Sequence, residues 1–271
     1  MVVTAPLTGI GYEALTPPFN TAFADYDLPL SLSPSELKAH LDGIDYSGED
    51  SVGLFDQGAL VGFLFVGRRG AAAYDGGTAI IPAYRGKGHA HTLIEAAATH
   101  LKARGCTTFT LEVLHTNARA KSLYTTHGFV EKRTLACYER SLPLETTSPS
   151  LEMRIEESPF AAVNRWAPSW QNQNRSVEQA GYLHGSYRTG GVSIGSVAFH
   201  PVRGSIAQIV LNDDHNTVTT LKEAIVACTK RMEAKAVRII NVDENDRLLN
   251  AALIELGFHC FARQSEMVRT L

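Results

Sequence analysis

The chain has 271 residues, more than one ordinary domain holds, so two domains are expected. Its 44% hydrophobic and 20% charged content is that of a globular protein, and a formal net charge of -3 argues against a nucleic-acid surface. No stretch approaches the roughly 18 uninterrupted apolar residues of a membrane span, and the opening "MVVTAPLTG" lacks the basic flank and apolar core of a signal peptide, so a cytoplasmic protein is expected.

In chain order, "SPSE" (Ser33 to Glu36) is a capping box with Pro34 at the first helical position, predicting a helix to about His40. "SVGLF", "ALVGFLFV" and "AAAYDGGTAII", separated by turns, predict an antiparallel meander. After "PAYRGKG", Leu93, Ala97 and Leu101 fall on one face, with Ile94 and Ala98 beside them, so a helix runs to Gly105. "TTFTLEV" follows as a strand, then a helix from Ala118 to His127, and a strand from Phe129 is expected to close the unit. The Pro-, Ser- and Thr-rich stretch Arg140 to Met153 predicts a linker. Beyond it, "INVDENDRLLNAALIELGFHCFAR" parallels "LEVLHTNARAKSLYTTHGFVEKR" as strand, polar turn, helix, Gly-Phe and strand. The two halves read as copies of one α/β unit, a mixed sheet flanked by helices, at residues 1–142 and 151–271 with a linker at 143–150. Cys106, Cys137, Cys228 and Cys260 show no C-x-x-C spacing, which argues against a zinc site, and no metal is expected.

The loop Arg85-Gly86-Lys87-Gly88 opens a helix. Unpaired N–H groups at the positive end of a helix dipole bind anions, glycines admit a ligand close to the backbone, and two cations favour a diphosphate. A P-loop is excluded because Gly86-Lys87 is followed by Gly88 rather than Ser or Thr. A dinucleotide fingerprint has Gly86-x-Gly88 and an acid at Glu112, but His91 stands in place of its third glycine, and the preceding strands are antiparallel.

Arg85-x-x-Gly88-x-Ala90, after "IIP" and "AY", resembles the acyl-CoA pyrophosphate loop of the GNAT superfamily of N-acetyltransferases. "LEVLHTNARAKSLYTTHGFV" is similar to that family's second signature, and together they cover about Thr78 to Val130. The resemblance implies two tandem GNAT-like domains and direct acetyl transfer from acetyl-CoA to an amine of a small molecule or peptide, with no covalent enzyme intermediate. It implies that Thr78, Ala79 and Ile80 pair with the pantetheine arm, that Arg85, Gly86, Lys87, Gly88, His89 and Ala90 hold the pyrophosphate, and that Asn117 touches the arm. Asn117 is equally suited to cap the helix at Ala118. Arg119 and Lys121 are open both to a phosphate contact and to ordinary solvation.

An amine with a pKa of about 10 must lose a proton before it attacks a thioester, and a departing thiolate is best protonated as it leaves. Tyr124 lies two helical turns after Asn117 on one face and is expected as the acid, its usual role in the family. Glu112, a carboxylate in an apolar strand, is expected as the base by resemblance to members that modify protein N-termini, with Asp75 as runner-up. The acceptor stays open. Asp25 and Asp27 hint at an acidic pocket, and an acyl-CoA-binding sensor without turnover is the alternative function. In the second half Asp213 and Asp214 face the position of the glycine loop, Leu253 replaces Tyr124 and Asn241 replaces Glu112, so that half is expected to lack a cofactor site. Trp166, Trp170 and Arg175 are its candidates for a wall of the acceptor groove.

Overall fold

The computed structural model describes residues 1–25, 31–144 and 151–271. They form two compact units. The first comprises Met1–Val113, Asn117–Lys132 and Glu266–Leu271; the second comprises Leu114–Thr116 and Arg133–Ser265.

The first unit begins with β1 (Val2–Pro6), α1 (Tyr12–Phe23) and α2 (Pro34–Asp42), the last opened by the expected capping box between Ser33 and Glu36. α1 holds Pro17 and Pro18 inside the helix, where each removes a backbone donor. Packing offsets that cost: Leu15, Phe19 and Ala22 are buried, and the Phe19 ring stacks on Phe63 and Phe65 at centroid distances of 5.9 and 6.4 Å. The meander follows as β2 (Val52–Asp56), β3 (Ala59–Arg69) and β4 (Ala72–Ile80), each antiparallel to the one before, with β1 on β2. Next come α3 (His89–Ala103), β5 (Thr108–Leu114), parallel to β4, and α4 (Ala118–Thr126). Leu93, Ile94, Ala97, Ala98 and Leu101 on α3 are all buried, and most join Leu64, Val66, Phe109, Leu111, Phe129 and Met267 in one core.

β6 (Val130–Ser141) does not close this unit as its sequence position suggests. From Arg133 it belongs to the second unit and runs antiparallel to β11 (Ala236–Asp243), from Ala236↔Ser141 to Asp243↔Leu135. The place beside β5 is taken by the end of β12 (His259–Thr270), and Leu271 N donates to Thr107 O at 3.0 Å. A strand's period fixes which face it buries, not which neighbour it pairs with.

The second unit also contains β7 (Glu152–Glu156), α5 (Asn174–Gln179), β8 (Leu183–Thr189), β9 (Val192–His200), β10 (Ser205–Leu211), α6 (Val218–Thr229) and α7 (Arg247–Glu255). Its strands run β6-β11-β10-β9-β8-β7, with the start of β12 beside β6. The core includes Tyr187, Val197, Phe199, Leu221, Ile225 and Leu253. The expected linker stretch from Arg140 to Met153 is shortened at both ends, since β6 runs through Ser141 and β7 includes Met153; residues 145–150 lie outside the described residues.

Candidate active site

β4 and β5 pair from Ala72↔Thr108 to Asp75↔Leu111 and no farther, although β4 continues along β3 to Gly62↔Ile80. The two strands therefore part at Asp75. A bulge sits at the fork, where the register on β3 steps from Val66↔Asp75 to Phe65↔Gly77 and leaves Gly76 as the extra residue. A Cβ on Gly76 would lie 2.1 Å from Ile44 Cδ1, so the glycine lets the Ile44 side chain close over the bulge, and a larger residue would push that methyl aside. Beyond the fork, the edge of Thr78–Ile80 turned away from β3 has no strand partner among the described residues.

That open edge leads into the glycine loop. A 3-10 turn at Pro82–Tyr84 is followed by Gly86 at φ +77° and Gly88 at φ +80°, conformations that only glycine adopts without strain. Nothing lies within 4 Å of a Cβ built on either, so their absence of side chains leaves space. Gly88 is the N-cap of the 15-residue α3 and offers no capping side chain. The backbone N–H groups of Gly86 through Ala90 have no acceptor among the described residues, at the positive end of the helix dipole.

Edge and loop border one cleft of about 640 Å³. Of the residues expected to bind the cofactor, Thr78, Ala79, Ile80, Arg85, Gly86, Gly88, His89, Ala90 and Asn117 line it. Lys87 does not; its Nζ donates to Ala83 O at 3.1 Å and lies 5.1 Å from the Tyr84 ring centroid. Arg85 faces the cleft with its donors already engaged: Nε on Ile80 O at 2.9 Å, Nη2 on Ala22 O at 2.8 Å, and both Nη atoms on the Asp25 carboxylate at 2.6 and 2.9 Å. This bidentate pair holds the Asp25 carboxyl below its ordinary range and ties the loop to the end of α1. Asp25 thus serves the loop; Asp27 lies outside the described residues. Asn117 Oδ1 accepts from Ala120 N at 3.0 Å, the capping role. Lys121 pairs with Glu131 at 3.0 Å, while Arg119 lines the cleft.

Tyr124 lines the cleft and is 8% exposed; its hydroxyl donates to Asp75 Oδ2 at 3.1 Å. Asp75 is buried at the fork and also accepts from Thr78 Oγ1 at 2.6 Å and Gly77 N at 2.9 Å. Burial raises its pKa, and the three hydrogen bonds oppose that rise. Glu112 is the first β5 residue past the last rung and is half-buried, with Tyr74 Oη donating to its Oε2. Side chains alternate across a strand, so Asp75 and Leu111 face the α3 and α4 side of the sheet, whereas Tyr74 and Glu112 face the other side, with Ile44. Glu112 and Tyr124 therefore flank the fork from opposite faces. His115 points elsewhere, its Nδ1 3.2 Å from Ser265 Oγ. The bulge at Gly76 and the Arg85–Asp25 clamp escape sequence reasoning; "DGG" is the one local signal for the bulge.

Residues 12–129 match the acetyltransferase (GNAT) family. These residues form a GNAT acetyltransferase domain. No curated protein matches the sequence. Among solved structures, the chain is similar to a GCN5-related N-acetyltransferase from Sphaerobacter thermophilus at 15% identity over 99% of this chain and 95% of the other, with a TM-score of 0.70. It is also similar to a tandem GNAT protein from the clavulanic acid biosynthesis pathway (14% identity, 100% and 98% covered, TM-score 0.64) and to a GCN5-related N-acetyltransferase from Anabaena variabilis (13%, 100% and 73%, TM-score 0.59). The fold is thus the tandem GNAT fold, and acyl transfer from a CoA thioester is the chemistry of the family. Among the described residues no helix is long and apolar enough to cross a membrane, and no group of three or more His, Cys, Asp or Glu could hold a metal ion.

The second unit, GNAT-like in fold, has a comparable fork in altered form. β10 and β11 share the single parallel rung Ser205↔Arg238, with Arg238 N on Gly204 O at 2.7 Å. Past it, the chain's own groups occupy the strands: Asn172 Nδ2 donates to Ile240 O at 2.8 Å, and Gln208 Nε2 donates to Asn172 O and to Asn174 Oδ1. α6 is capped by Thr217 Oγ1, which accepts from Thr220 N at 3.1 Å, where α3 has a bare glycine. Asp213 and Asp214 sit in the 3-10 turn before it. Leu253, in the place of Tyr124, is wholly buried, and Asn241 is 6% exposed and donates to Ser169 Oγ. Trp166 and Asp213 line a smaller cavity of about 350 Å³ in this unit; Trp170 is buried at 5% exposure, and Arg175 lies on α5.

Proposed function

We propose that this protein is an N-acetyltransferase that takes acetyl-CoA in the cleft of its first unit and acetylates a primary amine of a small molecule or peptide by direct attack. One observation carries this reading: an open strand edge, an uncapped glycine-rich helix start and a tyrosine hydroxyl border one continuous cleft. Those groups suit, in order, the amides of a pantetheine arm, a diphosphate and a departing sulfur. Acetyl-CoA supplies the thioester. Thr78 to Ile80 bind and align the arm, and the N–H groups of Gly86 through Ala90 hold the diphosphate. Arg85 keeps the loop in place through Asp25 rather than by lending its charge.

Glu112, across the fork, takes the proton that the attacking ammonium must lose, directly or through a water. Tyr124 gives a proton to the thiolate as the carbon–sulfur bond breaks, after its hydroxyl hydrogen swings from Asp75 toward the cleft. Asp75 positions Tyr124. We also propose that residues 1–142 are the catalytic copy and 151–271 the degenerate one, with their final strands exchanged, and that the chain binds one acetyl-CoA. The filled fork and the capped helix of the second unit support this.

The test is calorimetric titration with acetyl-CoA, followed by free-thiol release with a panel of small amines and peptide N-termini. One site per chain and thiol release with some amine are expected. Two sites would show that the second unit is misread. Binding without turnover across the panel would favour an acyl-CoA sensor, and absence of binding would remove the assignment.

A further inference from the structure

A chain of titratable groups on the cleft rim has no part in the acetyl-transfer steps. His91, in the first turn of α3, lines the cleft and is exposed. Its Nδ1 lies 2.8 Å from Nε2 of His127, the C-cap of α4, and the rings sit 4.9 Å apart. The His127 side chain is only 8% exposed, and its Nδ1 lies 2.5 Å from Glu95 Oε1. Glu95 is held in turn by Arg269 Nη1 at 3.1 Å. His127 is therefore clamped between a carboxylate and a second imidazole.

The tautomers follow from the donors available. Glu95 is kept ionised by His127 and Arg269, so His127 Nδ1 carries the hydrogen that Glu95 accepts. With no further proton, His127 Nε2 is a lone pair and His91 Nδ1–H donates to it. His91 Nε2, which has no partner among the described residues, is then a second lone pair. An anion facing that lone pair is repelled; one extra proton turns the same atom into a charged donor.

The surrounding charges make that proton valuable. Arg85 is neutralised by Asp25, and Lys87 is turned onto Ala83 O. His89 stands at the start of α3, and Arg119 on α4 is the one cation lining the cleft without an acid partner among the described residues. A diphosphate ester brings several negative charges to this rim. We propose that His91, His127 and Glu95 form a proton-accepting relay there, so that binding of a phosphate ester at the start of α3 draws one proton from solvent onto the imidazole pair. Glu95 and His127 act as positioning residues that spread and balance the added charge, and His91 meets the ligand. The proposal rests on the reading that the cleft takes acetyl-CoA, and it makes cosubstrate affinity fall as pH rises, because the bound state holds the extra proton.

The experiment is calorimetric titration of the full chain at pH 7.5 with acetyl-CoA and, separately, with inorganic pyrophosphate, in Pipes, Hepes and Tris. The slope of observed enthalpy against buffer ionisation enthalpy counts protons taken up. The free ligand's phosphates titrate identically against every variant, so the difference between proteins arises in the bound state that the relay shapes. We expect roughly 0.3–1 more proton taken up by the native chain than by His91→Gln, with Glu95→Gln intermediate. His91→Gln should weaken acetyl-CoA binding roughly tenfold at pH 6.5 and about twofold or less at pH 8.5. Equal slopes in the native chain and His91→Gln, or an affinity loss independent of pH, overturn the relay. Uptake with pyrophosphate but no acetyl-CoA binding keeps the relay and sinks the cosubstrate reading; no binding of either anion sinks both.

Discussion

Tyr124 and Asp75 share one hydrogen bond, and substitution separates their roles. Tyr124→Phe removes the proton donor while keeping the ring that packs edge-on against Phe129 at 5.5 Å. It should lower kcat by roughly ten- to a thousandfold with little change in acetyl-CoA affinity; an unchanged rate would return the residue to a purely packing role. Asp75→Asn tests whether the buried carboxyl costs stability. Its folded pKa lies above the unfolded value, so between the two the native state binds more protons and stability falls as pH rises; above the folded pKa the cost is constant. The variant should therefore melt higher than the native chain at pH 7 to 8. That difference should vanish below about pH 3, where both states are largely protonated. It should also turn over more slowly, because the amide offers Tyr124 a donor where the carboxylate accepted. A variant less stable than the native chain at neutral pH would mean that the hydrogen bonds to Asp75 outweigh its burial.

The start of α3 works as an anion site because Gly88 caps it with nothing but backbone. Gly88→Ala keeps the charge pattern and leaves no clash, since a Cβ there meets no atom within 4 Å, yet it forces an alanine to φ +80°. The strain is about 1–2 kcal/mol, and the expected outcome is a Tm lower by a few degrees together with weaker acetyl-CoA binding. If affinity is retained, the loop backbone does not approach the ligand. Much of this element was legible: two glycines, a helix face at Leu93, Ala97 and Leu101, and a stop at Gly105 are local signals. So was α2, whose capping box lies within four residues. α1 was not, because Pro17 and Pro18 erase the local signal and its stability comes from rings on β3 far along the chain. In the sequence Arg85 stands as a ligand for phosphate. Its partner Asp25 lies 60 residues away, and no periodicity relates the two. The opposite facing of Glu112 and Asp75 follows from strand register, which a sequence gives only once the pairing is known.

At the scale of the whole chain, the repeat in sequence and the division in space do not coincide. Each compact unit takes its last strand from the other half: β6 completes β11, and Glu266–Leu271 completes the sheet beside β5. Met267 is 2% exposed in the first unit's core, and Arg269 holds Glu95. Met267→Ala should thus destabilise the unit that carries the cleft by about 2–5 kcal/mol, although the residue lies near the far end of the sequence. Cutting the chain within residues 143–150 is the stronger experiment. Residues 1–142 alone would leave β5 with an open edge and a hole at Met267, and residues 151–271 alone would leave the long edge of β11 without β6. Neither half by itself should unfold cooperatively or bind acetyl-CoA, whereas co-expressed halves should recover one site per pair. A cooperative melt and full acetyl-CoA affinity from residues 1–142 alone would show that the exchanged strand is dispensable, and that the copy defined by sequence, rather than the unit defined by packing, is what folds.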